Sequence, residues 1–322
     1  MRKHFLPAAA IAFTLAISAL SGCQFKSSDS NVRNTQESSK IYEAEVECME
    51  RDVINFNTKW LYSPADYKNA ASPEFDDSGF EAVALPHANT LLAEHKGPGF
   101  AEQIESYRFV SWYRRHFSLD KKYSGKRVFL EFEGVATVAE VYVNGKQVCT
   151  HKGAYTGFKA DITDYLNEGN NVLAVRVDSE RQPDIPPEGG SVDYCLFGGI
   201  VRDVRMIITA PAYIDDVFIT TPELSADSGK TDAVVSVKNC FADEKILTVT
   251  STILDAEGNT VAVMSDEKTV RPADTVEFRA ISEEISSPKL WSTDNPYLYT
   301  VRTTLSDGEN VIDSVVSRLG FR

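Results

Sequence analysis

Val141-Tyr142-Val143-Asn144-Gly145-Lys146-Gln147-Val148 is the stretch that decides the fold class. Val141 and Val143 alternate with Tyr142, the period of a strand with one buried face. Asn144-Gly145 then supplies the two positive-φ residues that a type I′ turn needs, so the segment reads as a β-hairpin. The same alternation appears upstream in Arg127-Val128-Phe129-Leu130-Glu131-Phe132-Glu133, with Val128, Leu130 and Phe132 on one face. Downstream, Asn171 to Val177 is another strand, entered from the turn at Asn167-Glu168-Gly169-Asn170, and Val204 to Ile208 closes the set. Short strands separated by polar turns predict a sandwich or jelly roll rather than a parallel sheet.

A boundary falls near Pro211. Beyond it, candidate strands run from Tyr213 to Thr220, Asp232 to Lys238, Ile246 to Leu254, Val261 to Met264, Asp274 to Ile281, Leu298 to Leu305 and Val311 to Val316. Turn signals such as Glu257-Gly258-Asn259 and Asp307-Gly308 separate them. That number of strands in that length is the rhythm of an immunoglobulin-like sandwich. The expected fold class is therefore all-β: a jelly-roll β-sandwich over 46–210, then an immunoglobulin-like β-sandwich over 211–317.

The 322 residues are enough for two such domains, and 25% charged with 43% hydrophobic residues is a folded composition. A formal net charge of -14 repels phosphate backbones and anionic membranes, which argues against nucleic acid as a partner and leaves neutral sugars unpenalised. Attachment to a membrane would have to be covalent, and the N-terminus offers a means. A basic leader, Met1 to His4, precedes an apolar run from Phe5 to Leu20, shorter than a bilayer span. It ends in Leu20-Ser21-Gly22-Cys23, small residues before a cysteine, the pattern at which lipoprotein signal peptides are cut. Residues 1–22 are thus expected to be a lipoprotein signal peptide, Cys23 the lipidation site, and 23–45 a polar tether. The expected location is the cell envelope, lipid-anchored and facing the periplasm or cell surface.

Cys48, Cys149, Cys195 and Cys240 lie far apart without metal-ligand spacing and read as buried free thiols. No metal or cofactor is expected. A retaining glycosidase needs two carboxylates about 5–5.5 Å apart. The adjacent pairs Asp76-Asp77, Asp215-Asp216 and Glu283-Glu284 read instead as solvated surface charge. His87, after Leu85-Pro86, reads as a turn residue satisfying backbone groups. No Gly-x-Ser-x-Gly elbow and no phosphate-binding glycine loop is present. The segment Asp193-Tyr194-Cys195-Leu196-Phe197-Gly198-Gly199-Ile200-Val201-Arg202-Asp203-Val204 stands apart. Its paired glycines permit close backbone approach, and a carboxylate at Asp193 could accept hydrogen bonds from sugar hydroxyls. Alternatively Asp193 caps a turn and Phe197 fills the core.

Several phrases occur in an order that resembles the sugar-binding jelly roll of glycoside hydrolase family 2, the family of β-galactosidases, β-glucuronidases and β-mannosidases. They are Leu85 to Ala88, Ser111-Trp112-Tyr113-Arg114-Arg115-His116-Phe117, Val141 to Gly145, Gly153-Ala154-Tyr155-Thr156-Gly157-Phe158, Asp161 to Thr163, Asn171 to Asp178 and Gly198 to Val204. Leu290 to Tyr299 resembles the late part of the family's immunoglobulin-like domain. Arg318-Leu319-Gly320-Phe321-Arg322 resembles the phrase that leads into its (β/α)₈ barrel, so 318–322 is assigned to the start of that barrel. The resemblance implies that both catalytic glutamates belong to the barrel, that these residues contain none, and that the chain alone is inactive, a truncated gene or gene model. It implies one substrate-binding residue, Asp193, five positions before Gly198, reaching toward a terminal β-linked sugar. It also implies structural ion pairing for Arg202, Asp203, Arg114 and Arg115. The expected function is the non-catalytic front of an exported, exo-acting, β-galactosidase-like hydrolase; the alternative is a free-standing carbohydrate-binding lipoprotein.

Overall fold

A computed structural model of the chain describes residues 51–91, 106–186 and 196–322. Ten strands build the first sandwich: β1 (Asp52–Asn55), β2 (Trp60–Ser63), β3 (Glu81–Val83), β4 (Val110–Ser118), β5 (Arg127–Phe132), β6 (Val138–Val143), β7 (Lys146–Lys152), β8 (Phe158–Asp161), β9 (Asn170–Asp178) and β10 (Val204–Thr209). They pair in a six-stranded sheet ordered β3-β2-β4-β9-β6-β7 and a four-stranded sheet ordered β1-β10-β5-β8. All of these pairings are antiparallel. The core between the sheets holds Trp60, Tyr113, Leu130, Phe132, Val141, Val143, Leu173, Val175 and Met206. Val128, Leu130 and Phe132 share the inner face of β5, as their alternation predicts. Asn144 and Gly145 turn the β6–β7 hairpin at φ of 51° and 81°, the two positive values the dipeptide predicts.

β4 departs from simple alternation: five consecutive residues, Ser111 to Arg115, are buried. The reason is a second cover. Residues 66–80 fold over the outer face of the six-stranded sheet, where Ala70, Phe75 and Phe80 pack on Trp112 and Ala174. Arg114 points into this layer, donates to Asp77 at 2.7 Å and also bonds the Ala70 carbonyl.

The second sandwich contains β11 (Ala212–Thr220), β12 (Ser228–Gly229), β13 (Asp232–Asn239), β14 (Lys245–Leu254), β15 (Thr260–Val270), β16 (Thr275–Ile281), β17 (Ile285–Ser286), β18 (Tyr299–Asp307) and β19 (Asn310–Leu319). Its sheets are β11-β13-β16 and β15-β14-β18-β19, with a short β12-β17 pair. Seven of these strands are those the periodicity predicts, with β15 and β19 longer than expected. Among the described residues there is no α-helix, so the all-β expectation holds. The two sandwiches meet where Tyr213 packs 5.0 Å from the ring of Phe129 and where Arg51 pairs with the buried Asp313 at 2.5 Å.

Cys149 and Cys240 are free thiols, as expected, but each is only part-buried. Cys23, Cys48, Cys195, Asp193 and the 1–22 and 23–45 segments lie outside the described residues.

Candidate functional site: the loop end of the jelly roll

Strand register gathers one group of loops. Val110 of β4 and Val138 of β6 both face Asp178 of β9, so the segments leaving these strands emerge at the same end. Residues 196–200 run alongside them. Gly199 and Ala136 exchange backbone hydrogen bonds of 2.8 and 3.1 Å, while the His87 N–H donates to the Ile200 carbonyl and the Asn89 N–H to the Gly198 carbonyl. The glycine pair is thus stitched between two neighbours. A side chain at Gly198 would overlap Ser179 Oγ and Asn89 Nδ2, and one at Gly199 would come within 2.5 Å of the Tyr113 hydroxyl. Gly199 also sits at φ +104°, where only glycine is relaxed. The close backbone approach expected of this pair is what the structure contains.

Behind the glycines lies a polar lattice. Asn89 Nδ2 donates to the Tyr107 carbonyl at 2.7 Å, Ser179 Oγ donates to the Ala136 carbonyl at 2.7 Å, and the Tyr62 hydroxyl donates to the Asn89 carbonyl at 2.9 Å. Asn89 Oδ1 is buried and has no partner among the described residues. The His87 ring does not bond backbone, as the turn reading expected: Nδ1 sits 2.9 Å from the Tyr113 hydroxyl and the ring packs on Tyr62. Burial lowers the pKa of His87, only partly countered by the Glu81 charge. Burial pushes the Tyr62 hydroxyl up to about 12, with Glu81 adding to the shift, and raises that of Tyr113 further. These groups hold the loops in place and show no nucleophile–base pairing.

In front of the glycines is a shallow crevice of about 40 Å³, bordered by Tyr107, Arg108, Tyr155, Arg181, Ile185 and Phe197. Tyr155 is 48% exposed and Phe197 41%, so the reading in which Phe197 fills the core is overturned. Burial raises the Tyr107 hydroxyl; it lowers the Arg108 guanidinium, with Arg181 adding repulsion. Exposed aromatic faces can pack against the C–H face of a sugar ring, and guanidiniums donate to hydroxyls. Small-molecule pockets run to about 300–1,000 Å³, so a crevice of this size forms part of a wall and does not enclose a sugar. Glu180 is the one carboxylate among the described bordering residues, which makes no glycosidase pair. No group of three metal-ligating side chains occurs among the described residues.

Asp193 lies outside the described residues, which end at Pro186 and resume at Leu196, and both of those residues border the crevice. The expected pairing of Arg202 with Asp203 is not found. Arg202 donates to the Tyr155 carbonyl, whereas Asp203 accepts from Asn57 and lies 3.8 Å from Arg205. Arg114 forms an ion pair; Arg115 instead lies over the Phe56 ring. Asp77 is not solvated surface charge, since it holds Arg114 and His116, while Asp215 pairs with Lys159 and Glu283 and Glu284 are exposed. Sequence reading missed Asn89, Tyr107, Ser179 and Arg181. Asn89 and Ser179 directly follow Leu85 to Ala88 and Asn171 to Asp178, and that adjacency is the available signal.

The sequence matches two family descriptions: "Glycosyl hydrolases family 2, sugar binding domain" over residues 100–211, and "Glycosyl hydrolases family 2" over residues 212–322. A beta-galactosidase of Thermoanaerobacter pseudethanolicus is 42% identical over 85% of this chain and 36% of its own length. A beta-glucuronidase of Bacteroides fragilis is 31% identical over 74% of this chain and 34% of its own length. The crystal structure of a Bacteroides uniformis beta-glucuronidase superposes with a TM-score of 0.77 at 29% identity, covering 85% of this chain and 33% of that one. The chain spans about a third of the length of these relatives. It belongs to glycoside hydrolase family 2, of which it carries the sugar-binding jelly roll and the immunoglobulin-like sandwich.

Proposed function

We propose that the loop end of the jelly roll forms one wall of a sugar pocket whose catalytic carboxylates belong to a (β/α)₈ barrel of the whole protein. That protein is an exo-acting, β-galactosidase-like hydrolase that removes terminal β-linked sugars from glycans. The observation that carries the proposal is the aromatic and cationic rim at Tyr155, Phe197, Arg108 and Arg181, with Tyr155 and Phe197 exposed, next to Gly198-Gly199 and bordered by both chain ends flanking Asp193. A wall of this kind closes one end of a pocket and selects chain ends over internal sugars. Asp193 accepts hydrogen bonds from the terminal sugar, and the carboxylate loses that role when truncated.

The test joins the chain in frame to a family 2 catalytic barrel and compares aryl β-galactoside and aryl β-glucuronide hydrolysis with that of Asp193→Ala. A rise in KM for the galactoside of at least tenfold is expected. Unchanged kinetics would remove Asp193 from the site, and preference for the glucuronide would reassign the sugar. The free-standing binding alternative requires heat on titrating the chain alone with galactosides; a crevice of about 40 Å³ favours the wall over the complete site. The proposal also anchors the chain in the cell envelope through lipid on Cys23. Labelled fatty acid should enter the wild-type chain and not Cys23→Ser.

A further inference from the structure

The strands that open on the crevice at one end border a different feature at the other. β4 ends at Ser118, opposite Asn170 of β9, about 26 Å along the strand from Val110 at about 3.3 Å per residue. There a cleft of about 520 Å³ opens, bordered by Phe56, Lys59, Arg115, Phe117, Tyr123 and Asn170. That volume falls in the range of small-ligand sites.

Arg115 sets this cleft apart. The residue is only 8% exposed, its guanidinium lies 3.2 Å from the centre of the Phe56 ring, and Nη1 donates to the Phe56 carbonyl. Nε is buried without a partner, and no carboxylate pairs with Arg115 among the described residues. Burial pushes the guanidinium down to about 10 with nothing to offset it. Its neighbour shows the ordinary solution, since the buried Arg114 holds Asp77. An unneutralised buried cation is costly to keep, and a ligand anion removes that cost. Asp120, which also borders the cleft, accepts from the Lys122 N–H at 3.0 Å, and nearby Asp52 accepts from the Tyr123 hydroxyl at 2.7 Å; neither pairs with Arg115. His116 is turned to Asp77 at 2.8 Å. Lys59 adds a second cation, on an exposed residue held at φ +63°.

We propose that this cleft binds an acidic saccharide through a single carboxylate, a uronic acid unit, independently of the crevice at the opposite end. The Arg115 guanidinium supplies charge and the N–H groups not held by the Phe56 carbonyl, Lys59 supplies a point charge, and Phe117 and Tyr123 border the cleft with apolar surface. The acidic character of the chain, with net charge -14, disfavours a polyanion. Screening over about 8 Å at physiological salt confines the balance to the cleft itself, where Arg115 and Lys59 outweigh the one described carboxylate that borders it, Asp120.

Calorimetric titration of the full 322-residue chain with glucuronate and galacturonate, against glucose, galactose, acetate and phosphate, tests the assignment. Binding of at least one uronate, tenfold or more tighter than its neutral counterpart and than acetate, is expected. Because Arg115 also anchors Phe56, Arg115→Gln risks unfolding the sandwich. Lys59→Gln and Ser118→Trp, both at exposed positions, keep the test independent of that. The first should weaken uronate binding severalfold and the second should abolish it by filling the cleft. Absence of uronate binding at millimolar concentration, equal binding of the neutral sugars, equal binding of acetate and phosphate, or indifference to both variants would each overturn the proposal.

Discussion

A methyl group on Gly199 would stand 2.5 Å from the Tyr113 hydroxyl and 2.7 Å from the His87 carbonyl, on a residue at φ +104°. Gly258 has a similar φ of +87° with nothing within 4 Å of its notional Cβ. The pair separates two effects that a glycine count merges. Gly258→Ala incurs backbone strain alone, about 1–2 kcal/mol. Gly199→Ala incurs that strain and must also displace a fully buried tyrosine, so a loss of about 4 kcal/mol or more is expected, in the range of the most disruptive substitutions. Urea unfolding midpoints of the two variants check it; equal losses would mean that crowding contributes nothing. The paired glycines were legible in the sequence as a point of close approach. Their partners were not, because Tyr113, Asn89 and Ser179 come from three other segments and no local pattern names them.

The β6–β7 hairpin is the element that the sequence shows most clearly, since an Asn-Gly turn is a local device. What lies beyond the turn is less local. Asn144 Nδ2 donates to the Tyr165 carbonyl at 2.8 Å and to Asn171 Oδ1 at 2.7 Å, while Asn144 Oδ1 accepts from the Val172 N–H at 2.9 Å. The residue is therefore a clamp between the hairpin and the start of β9 as well as a turn former. Asn144→Gly keeps the positive φ and removes the clamp. At about 1 kcal/mol for each lost hydrogen bond, a destabilisation of about 2–3 kcal/mol is expected with the hairpin still formed. Thermal unfolding measures the loss, and an unchanged midpoint would reduce Asn144 to its turn. Other elements were illegible for physical reasons. β1, β2 and β3 are only three or four residues long, too short for a period to declare itself. The apolar pattern predicts an end to β15 near Met264, but the strand runs to Val270 through Asp266, Glu267 and Lys268, which interrupt that pattern. It is an edge strand, and charges of this kind keep such edges from pairing with other chains.

At the scale of the whole molecule, two sandwiches were predictable from the spacing of strands and turns, whereas the seam between them was not. Tyr213 opens the strand expected from Tyr213 to Thr220, and while Ala212 and Ile214 enter the second core it packs outward onto Phe129 and Ile207 of the first sandwich. Arg51 precedes β1 in sequence that carries no strand signal, yet its guanidinium grips Asp313 of β19 with bonds of 2.9 and 2.5 Å and the Ile214 carbonyl at 2.7 Å. Asp313 is fully buried and also accepts from the Ile214 N–H at 2.8 Å. Replacing Arg51 by alanine leaves that carboxylate with backbone donors and no counter-charge, which costs about 3–5 kcal/mol for a buried pair. Arg51→Lys restores the charge without the two-pronged geometry and should recover only part of the loss. The Arg51 grip, the Tyr213 contact and the Lys159–Asp215 pair all cross the seam. Calorimetry of the wild-type chain should show one cooperative transition, and Arg51→Ala combined with Tyr213→Ala should split it into two, one for each sandwich. A single transition in the double variant, at the wild-type temperature, would show that the sandwiches are coupled by something other than this grip.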